Sequence, residues 1–240
     1  MSAFLRIILI LAVVISIGIY LISNQKISRM YNKLISYGYD PQDKLIVVSV
    51  EEQRLYLIEN YNIIDTYVIS TSKKGVGSKK SSYKTPLGTH IIIQKIGKNA
   101  HYGELFEGIK PIGIQTPIFK DKTDIPYDYV TSRVLRLKGL EKGLNSGGEN
   151  DSYERMIFIH GTAEEGLLGI PSSRGCIRMG NHDIVQLFDK IKEGTFVEII
   201  ESEFEQPKDR ITIVGLSYYR QIRMYFNVKT NYSSRISTSM

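Results

Sequence analysis

The chain has 240 residues, enough for one or two domains, and its 42% hydrophobic and 23% charged composition is that of a globular protein with a core of normal size. The formal net charge of +6 is carried by dispersed lysines and arginines, which reads as a mildly basic solvated surface, and no nucleic-acid partner is expected. A single cysteine excludes an intramolecular disulfide.

Residues 7–22 carry no charge. With Ala3, Phe4 and Leu5 upstream, the apolar stretch approaches the length that spans a bilayer, and Arg6 lies near one end, where it can snorkel. A cleaved signal peptide calls for a shorter apolar region and a small-x-small site, but Ser23, Asn24, Gln25 and Lys26 follow. Residues 1–24 are therefore predicted to be an uncleaved transmembrane helix. Cations flank both ends, so charge alone does not orient it. In residues 25–43, Ile27, Met30, Tyr31, Leu34 and Ile35 recur at helical spacing until Gly38, Asp40 and Pro41. This segment is predicted to be a helical stalk or linker.

Residues 44–201 read as one mainly β catalytic domain with one or more short helices. Strand-like runs at 45–50, 54–59 and 63–70 predict a meander. A Gly-, Ser- and Lys-rich loop follows, and Thr85-Pro86-Leu87-Gly88 turns into a strand at 90–93. Residues 97–133, broken by Pro111, Pro117 and Pro126, are predicted to be a long structureless lid or binding loop. A short strand at 134–137 and a surface turn at 145–151 come next. An apolar strand at 156–159 is expected to end on His160. Asn181 is predicted to cap a helix running through 192, on the stripe Ile184, Val185, Leu187, Phe188 and Ile191, with Gly194 as its stop. Residues 195–200 form a closing strand. Residues 202–240 are read as a partly disordered extension holding a candidate strand at 210–214.

The chemistry concentrates between residues 157 and 179. The only cysteine, Cys176, lies sixteen positions after His160, follows Gly175 and is two positions before Arg178. A thiol is mostly protonated at neutral pH, and an adjacent imidazole can take its proton. Glycine before the nucleophile lets backbone approach a substrate carbonyl, and loop N–H groups can form an oxyanion hole. Arg178 offers a fixed positive charge for a thiolate or a substrate carboxylate. A buried structural His–Cys pair fits the spacing nearly as well, so spacing alone leaves both readings open.

The order His160-Gly161, then Ser173-Arg174-Gly175-Cys176-Ile177-Arg178-Met179, with Thr85-Pro86-Leu87-Gly88 upstream, resembles the L,D-transpeptidases of bacterial peptidoglycan, the YkuD-type catalytic domain. The resemblance covers roughly residues 44–200. It implies a mainly β fold with Cys176 and His160 facing each other across a cleft. It also implies thioester formation on a tetrapeptide stem, release of the terminal D-Ala, and transfer of the acyl group to an amine. By the same resemblance the Gly161 carbonyl orients the imidazole, and Ser173 and Gly175 shape the site. Arg178 and Arg174 are candidate substrate-binding cations; Arg174 stands where the family often has histidine.

The expected partners are peptidoglycan stem peptides and the cytoplasmic membrane, with the domain facing outward in the cell envelope. A thiol pKa below the ordinary value is expected. His90, His101 and His182 make no metal-ligand spacing with Cys176, so no metal or cofactor is expected. Glu164 and Glu165 read as a solvated turn. Water in place of the amine makes the same site an L,D-carboxypeptidase. An inactive anchored peptidoglycan-binding module and a sortase-like enzyme are the other readings, the latter disfavoured because its histidine lies much farther upstream.

Overall fold

The computed structural model describes Leu11 and residues 25–205. The rest of the predicted anchor and the candidate strand at 210–214 lie outside the described residues. Among those described, no helix is long and apolar enough to cross a membrane. The chain divides into two compact units, residues 1–38 with 205–240, and Tyr39–Phe204.

In the first unit residues 25–36 form α1, which ends before Gly38, Asp40 and Pro41 as the sequence predicts. Tyr31 and Leu34 on its apolar face are fully buried. Gly38 adopts φ +99°, and its N–H bonds the Ile35 carbonyl at 3.0 Å, which ends the helix in the left-handed conformation glycine tolerates.

The second unit contains β1 (Leu45–Ser49), β2 (Arg54–Glu59), β3 (Asn62–Ser70), β4 (Gly88–Ile96), β5 (Glu104–Glu107), β6 (Lys110–Gln115), β7 (Val130–Gly139), β8 (Phe158–Thr162), β9 (Ile177–Met179), α2 (Asn181–Lys190) and β10 (Phe196–Ile200). The first three strands form the predicted antiparallel meander. Strand order runs β4-β10-β1-β2-β3-β9-β8-β7, and a further β4–β7 pairing closes this run into a ring. Two of its pairings, β1–β10 and β8–β9, are parallel.

Period-2 alternation fills the ring. Ile46 and Val48, Leu55 and Leu57, Tyr67 and Ile69, Leu135 and Leu137, Ile177 and Met179, and Val197 and Ile199 all turn into one cluster. Ile184, Leu187 and Phe188 of α2 join it. Each such fully buried aliphatic side chain stabilises the fold by about 1.5–3 kcal/mol before its entropy cost.

Three expectations need correction. Residues 97–133 are not a structureless loop: β5 and β6 form a hairpin hung on the start of β7. Phe106 anchors it by packing with Val134 and Phe158. Pro111 fits because β6 is an edge strand bonded only to β5, where a missing N–H costs no ladder bond. The strand expected to end on His160 instead begins at Phe158 and carries His160 at its centre. The helix after Met179 has Gly180, not Asn181, at its N-cap, and it stops at Lys190 because Ile191 is already extended.

Candidate active site

β8 and β9 run parallel, with Ile159 opposite Ile177 and His160 opposite Arg178. Ile159 and Ile177 point into the core. By alternation, His160 and Arg178 occupy the opposite face, and Cys176, one residue before β9, falls on that face too. It is half-buried and packs beside Phe106, Val134 and Phe158. Cys176 and His160 both line an open cleft of about 410 Å³, together with Tyr83, Asp128, Arg155, Met156 and Arg174.

The loop that delivers Cys176 is tied on both sides. Ser173 Oγ accepts the Gly175 N–H at 3.2 Å and donates to the Cys176 carbonyl at 2.6 Å. Thr85, from the Thr-Pro-x-Gly element, donates its hydroxyl to the Gly175 carbonyl at 3.0 Å and accepts the Ser72 N–H at 3.0 Å. Gly175 sits at φ +123°, where an added Cβ would press on the Lys84 carbonyl at 3.2 Å. Its N–H is occupied by Ser173, so glycine is needed here for its backbone shape rather than as an oxyanion donor.

His160 is fully buried. Its Nδ1 lies 2.7 Å from the Gly161 carbonyl. A carbonyl only accepts, so Nδ1 carries the proton and Nε2 presents a lone pair. Nε2 has no hydrogen-bond partner among the described residues. Burial pushes the imidazole pKa below its ordinary value, against the opposing pull of Asp128 and the Gly161 bond. Gly161 has to be glycine: a Cβ there would stand 2.6 Å from the Thr131 carbonyl and 2.7 Å from Asn181 Oδ1.

The thiol departs from expectation. Burial and the Asp128 charge push the Cys176 pKa up to about 12, outweighing the Phe158 N–H, Arg178 and Arg155. The sulfur lies 3.4 Å from the Met156 carbonyl, to which a thiol can donate and a thiolate cannot. Burial thus works against both a thiolate and an imidazolium at this site, rather than favouring a preformed ion pair.

Arg178 lies opposite His160, and its charge pulls the thiol pKa down as the sequence leads one to expect. It is 3% exposed in β9 and engaged by two carboxylates, its Nε 2.7 Å from Asp128 and its Nη1 2.8 Å from Glu164. A third contact is to Ser172 Oγ at 3.3 Å. Its guanidinium is committed to this buried network. Glu164, expected to be solvated, is 1% exposed and also accepts the Ile125 N–H at 2.9 Å. Glu165, expected in the same solvated turn, accepts the Asn181 N–H at 2.8 Å at the start of α2 and pairs with Lys120. Arg174 is exposed at the cleft, its backbone N–H bonded to Asp128 at 2.9 Å and its guanidinium to the Pro126 carbonyl at 2.5 Å.

Two further residues organise the site. Asp128 binds Arg178 and Arg174. Burial alone would raise its pKa, but Arg178 and then His160 reverse the sign and hold it below the ordinary value. Asn181 accepts the Thr131 and Ser132 hydroxyls at 2.6 Å each and donates to the Thr162 carbonyl at 2.7 Å, locking α2 onto β7 and β8. Asp128 sits in a Pro-broken segment without periodicity, so nothing in the sequence marks it. Asn181 is legible as a helix-start residue but not as a buried clasp.

The profile of the L,D-transpeptidase catalytic domain (YkuD) matches residues 43–199. The chain belongs to this family of L,D-transpeptidases. Among curated relatives, the probable L,D-transpeptidase ErfK/SrfK of Escherichia coli K12 is 47% identical over 47 residues, which is 20% of this chain and 15% of that protein. The probable L,D-transpeptidase YbiS of the same strain is 43% identical over 47 residues, with the same shares. The chain thus matches only about a seventh of the length of these relatives. Solved structures with detectable likeness include Bdellovibrio bacteriovorus Bd1075, at 18% identity and TM-score 0.46, covering 75% of this chain and 56% of that one. An L,D-transpeptidase from Mycobacterium smegmatis has 14% identity and TM-score 0.39, with coverage of 66% and 58%.

Proposed function

We propose that this L,D-transpeptidase-family chain is a cysteine acyltransferase acting on peptidoglycan tetrapeptide stems. The observation that carries the reading is that His160, with its Nδ1 tied to the Gly161 carbonyl and its Nε2 unpartnered among the described residues, lines the same cleft as Cys176. As Sγ attacks the carbonyl of the diamino acid's L-centre, Nε2 takes the thiol proton and returns it to the departing amine of D-Ala. The product is a thioester on Cys176. An acceptor amine, deprotonated by the same Nε2, then attacks the thioester and the thiol is restored. Because burial disfavours the charged form of each group, deprotonation in this reading accompanies attack rather than preceding it.

The reading includes location. Such a polymer lies outside the cytoplasmic membrane, and the uncharged run at 7–22 is the proposed anchor, with the catalytic domain on the outer side. A reporter fused after Ile200 that works only in the cytoplasm contradicts this topology.

The test is mass spectrometry of muropeptides after incubating tetrapeptide-rich sacculi with the full chain and with Cys176→Ala. Stems that lose the terminal residue and gain an amine-linked partner support acyl transfer. Loss without gain identifies hydrolysis, the L,D-carboxypeptidase outcome. Sacculi unchanged relative to Cys176→Ala contradict the proposal.

A further inference from the structure

With Arg178 committed to Asp128 and Glu164, the cleft needs another cation if it is to hold an anion beside the sulfur. Arg155 is half-buried and lines the cleft with Cys176. Its Nη2 donates to the Lys84 carbonyl at 2.6 Å and its Nη1 to the Gly77 carbonyl at 3.3 Å. Both acceptors are neutral, and no carboxylate pairs with it among the described residues. Of the acids lining the cleft, Asp128 is held by Arg178 and the Arg174 N–H, and Glu154 is an exposed side chain. A partly desolvated cation without a counter-ion is costly to maintain. Two of its five N–H donors are used, leaving three for a ligand.

The position is specific. Met156, next in the chain, places its carbonyl 3.4 Å from the Cys176 sulfur. The Lys84 carbonyl that holds Nη2 also lies against Gly175, 3.2 Å from where a Cβ would be. The guanidinium and the sulfur therefore belong to one junction of the 83–85, 155–156 and 175–176 backbones. When a terminal residue is expelled, its carboxylate carbon lies three bonds from the attacked carbon, a separation of less than about 4 Å. Any group that binds that carboxylate has to stand beside the nucleophile, as Arg155 does. Lys80 and Arg174 also line the cleft, but both are exposed and better solvated.

We propose that Arg155 binds the free α-carboxylate of the donor's departing terminal residue, restricting the site to acyl groups one residue in from a carboxyl terminus. This rests on the acyl-transfer reading above for its substrate, and deepens it by naming the residue that selects the donor end.

The test uses the full chain and two tetrapeptide donors, one ending in a carboxylate and one in the neutral carboxamide. Calorimetric binding to Cys176→Ala should favour the acid by roughly 10- to 100-fold, the range for hydrogen bonds to a charged group. Adding Arg155→Gln should abolish the preference by weakening acid binding alone. Arg155→Lys, which keeps the charge between the Gly77 and Lys84 carbonyls, should retain a reduced preference, and it covers the case in which the glutamine variant fails to fold. Equal binding of acid and amide, equal weakening of both by Arg155→Gln, or loss of the preference in Lys80→Gln or Arg174→Gln instead would each overturn the assignment. Intact-mass detection of acyl-enzyme on the Cys176 chain separates the two readings. Arg155-dependent acid binding without acylation refutes acyl transfer and leaves this site standing. Acylation that is equally fast with both donors does the reverse.

Discussion

At the scale of single residues, the decisive feature is that burial works against charge on both reacting groups. Burial lowers the His160 pKa and pushes the Cys176 thiol up to about 12. The alkylation rate of Cys176 should therefore rise with pH through the ordinary thiol range without a plateau, and an inflection at or below that of a free thiol contradicts a thiol pKa raised by burial. Catalysis needs unprotonated Nε2, so kcat/KM should fall on acidification with a midpoint below 6.5, the unperturbed histidine value. A midpoint above 6.5 would mean an imidazolium stabilised by a thiolate after all. Arg178 carries a different expectation. Arg178→Gln strands the buried Glu164 and the half-buried Asp128 without their cation and should destabilise the fold by about 3–5 kcal/mol in denaturant unfolding. Unchanged stability with a raised KM would restore it to substrate binding.

At the scale of elements, what matters is how the strand register and one turn aim the nucleophile. Thr85→Val keeps the side-chain shape but leaves the Ser72 N–H and the Gly175 carbonyl without their partner, at about 1–3 kcal/mol. Because Gly175 precedes the nucleophile, the variant should lose acylation rate in the fraction that remains folded; a stability loss with normal kinetics would limit Thr85 to a structural role. Sequence patterning made much of this visible. β2 is legible because the apolar run Leu55 to Ile58 is closed off by charged residues and turns on both sides, and α1 because five apolar residues share one face. The β5–β6 hairpin was hidden because its anchoring contact is a single aromatic, Phe106, while Ile112 and Ile114 face solvent. His160 and Cys176 were legible from their motif. The engagement of Arg178 was not, because its partners Asp128 and Glu164 come from distant loops and carry no local signal. Glu164 looked like a turn residue for the same reason: its burial depends on an ion pair across the fold.

At the scale of the whole molecule, the closed ring of eight strands supplies a rigid wall on which a small cleft is built from loops and one strand face. The titration of that wall predicts acid sensitivity. His160 has a folded pKa below 6.5, so the unfolded chain binds the proton more readily, and the stability it contributes is present above 6.5 and lost as pH falls toward the folded value. Asp128, depressed below 3.8, adds stability that is lost at lower pH still. Denaturation midpoints should thus decline from about pH 6.5 downward, and His160→Gln should blunt the upper part of that decline; an identical pH profile in the variant refutes the buried neutral imidazole. The central claim is that Cys176 is acylated with His160 as its base. Intact-mass analysis of acid-quenched reactions with a tetrapeptide donor tests it most directly. The account predicts an adduct of the donor less its terminal residue on the unmodified chain, none on Cys176→Ala, and formation slowed about 10²-fold or more in His160→Ala. An adduct that persists in Cys176→Ala, or one that forms at the full rate in His160→Ala, would contradict it.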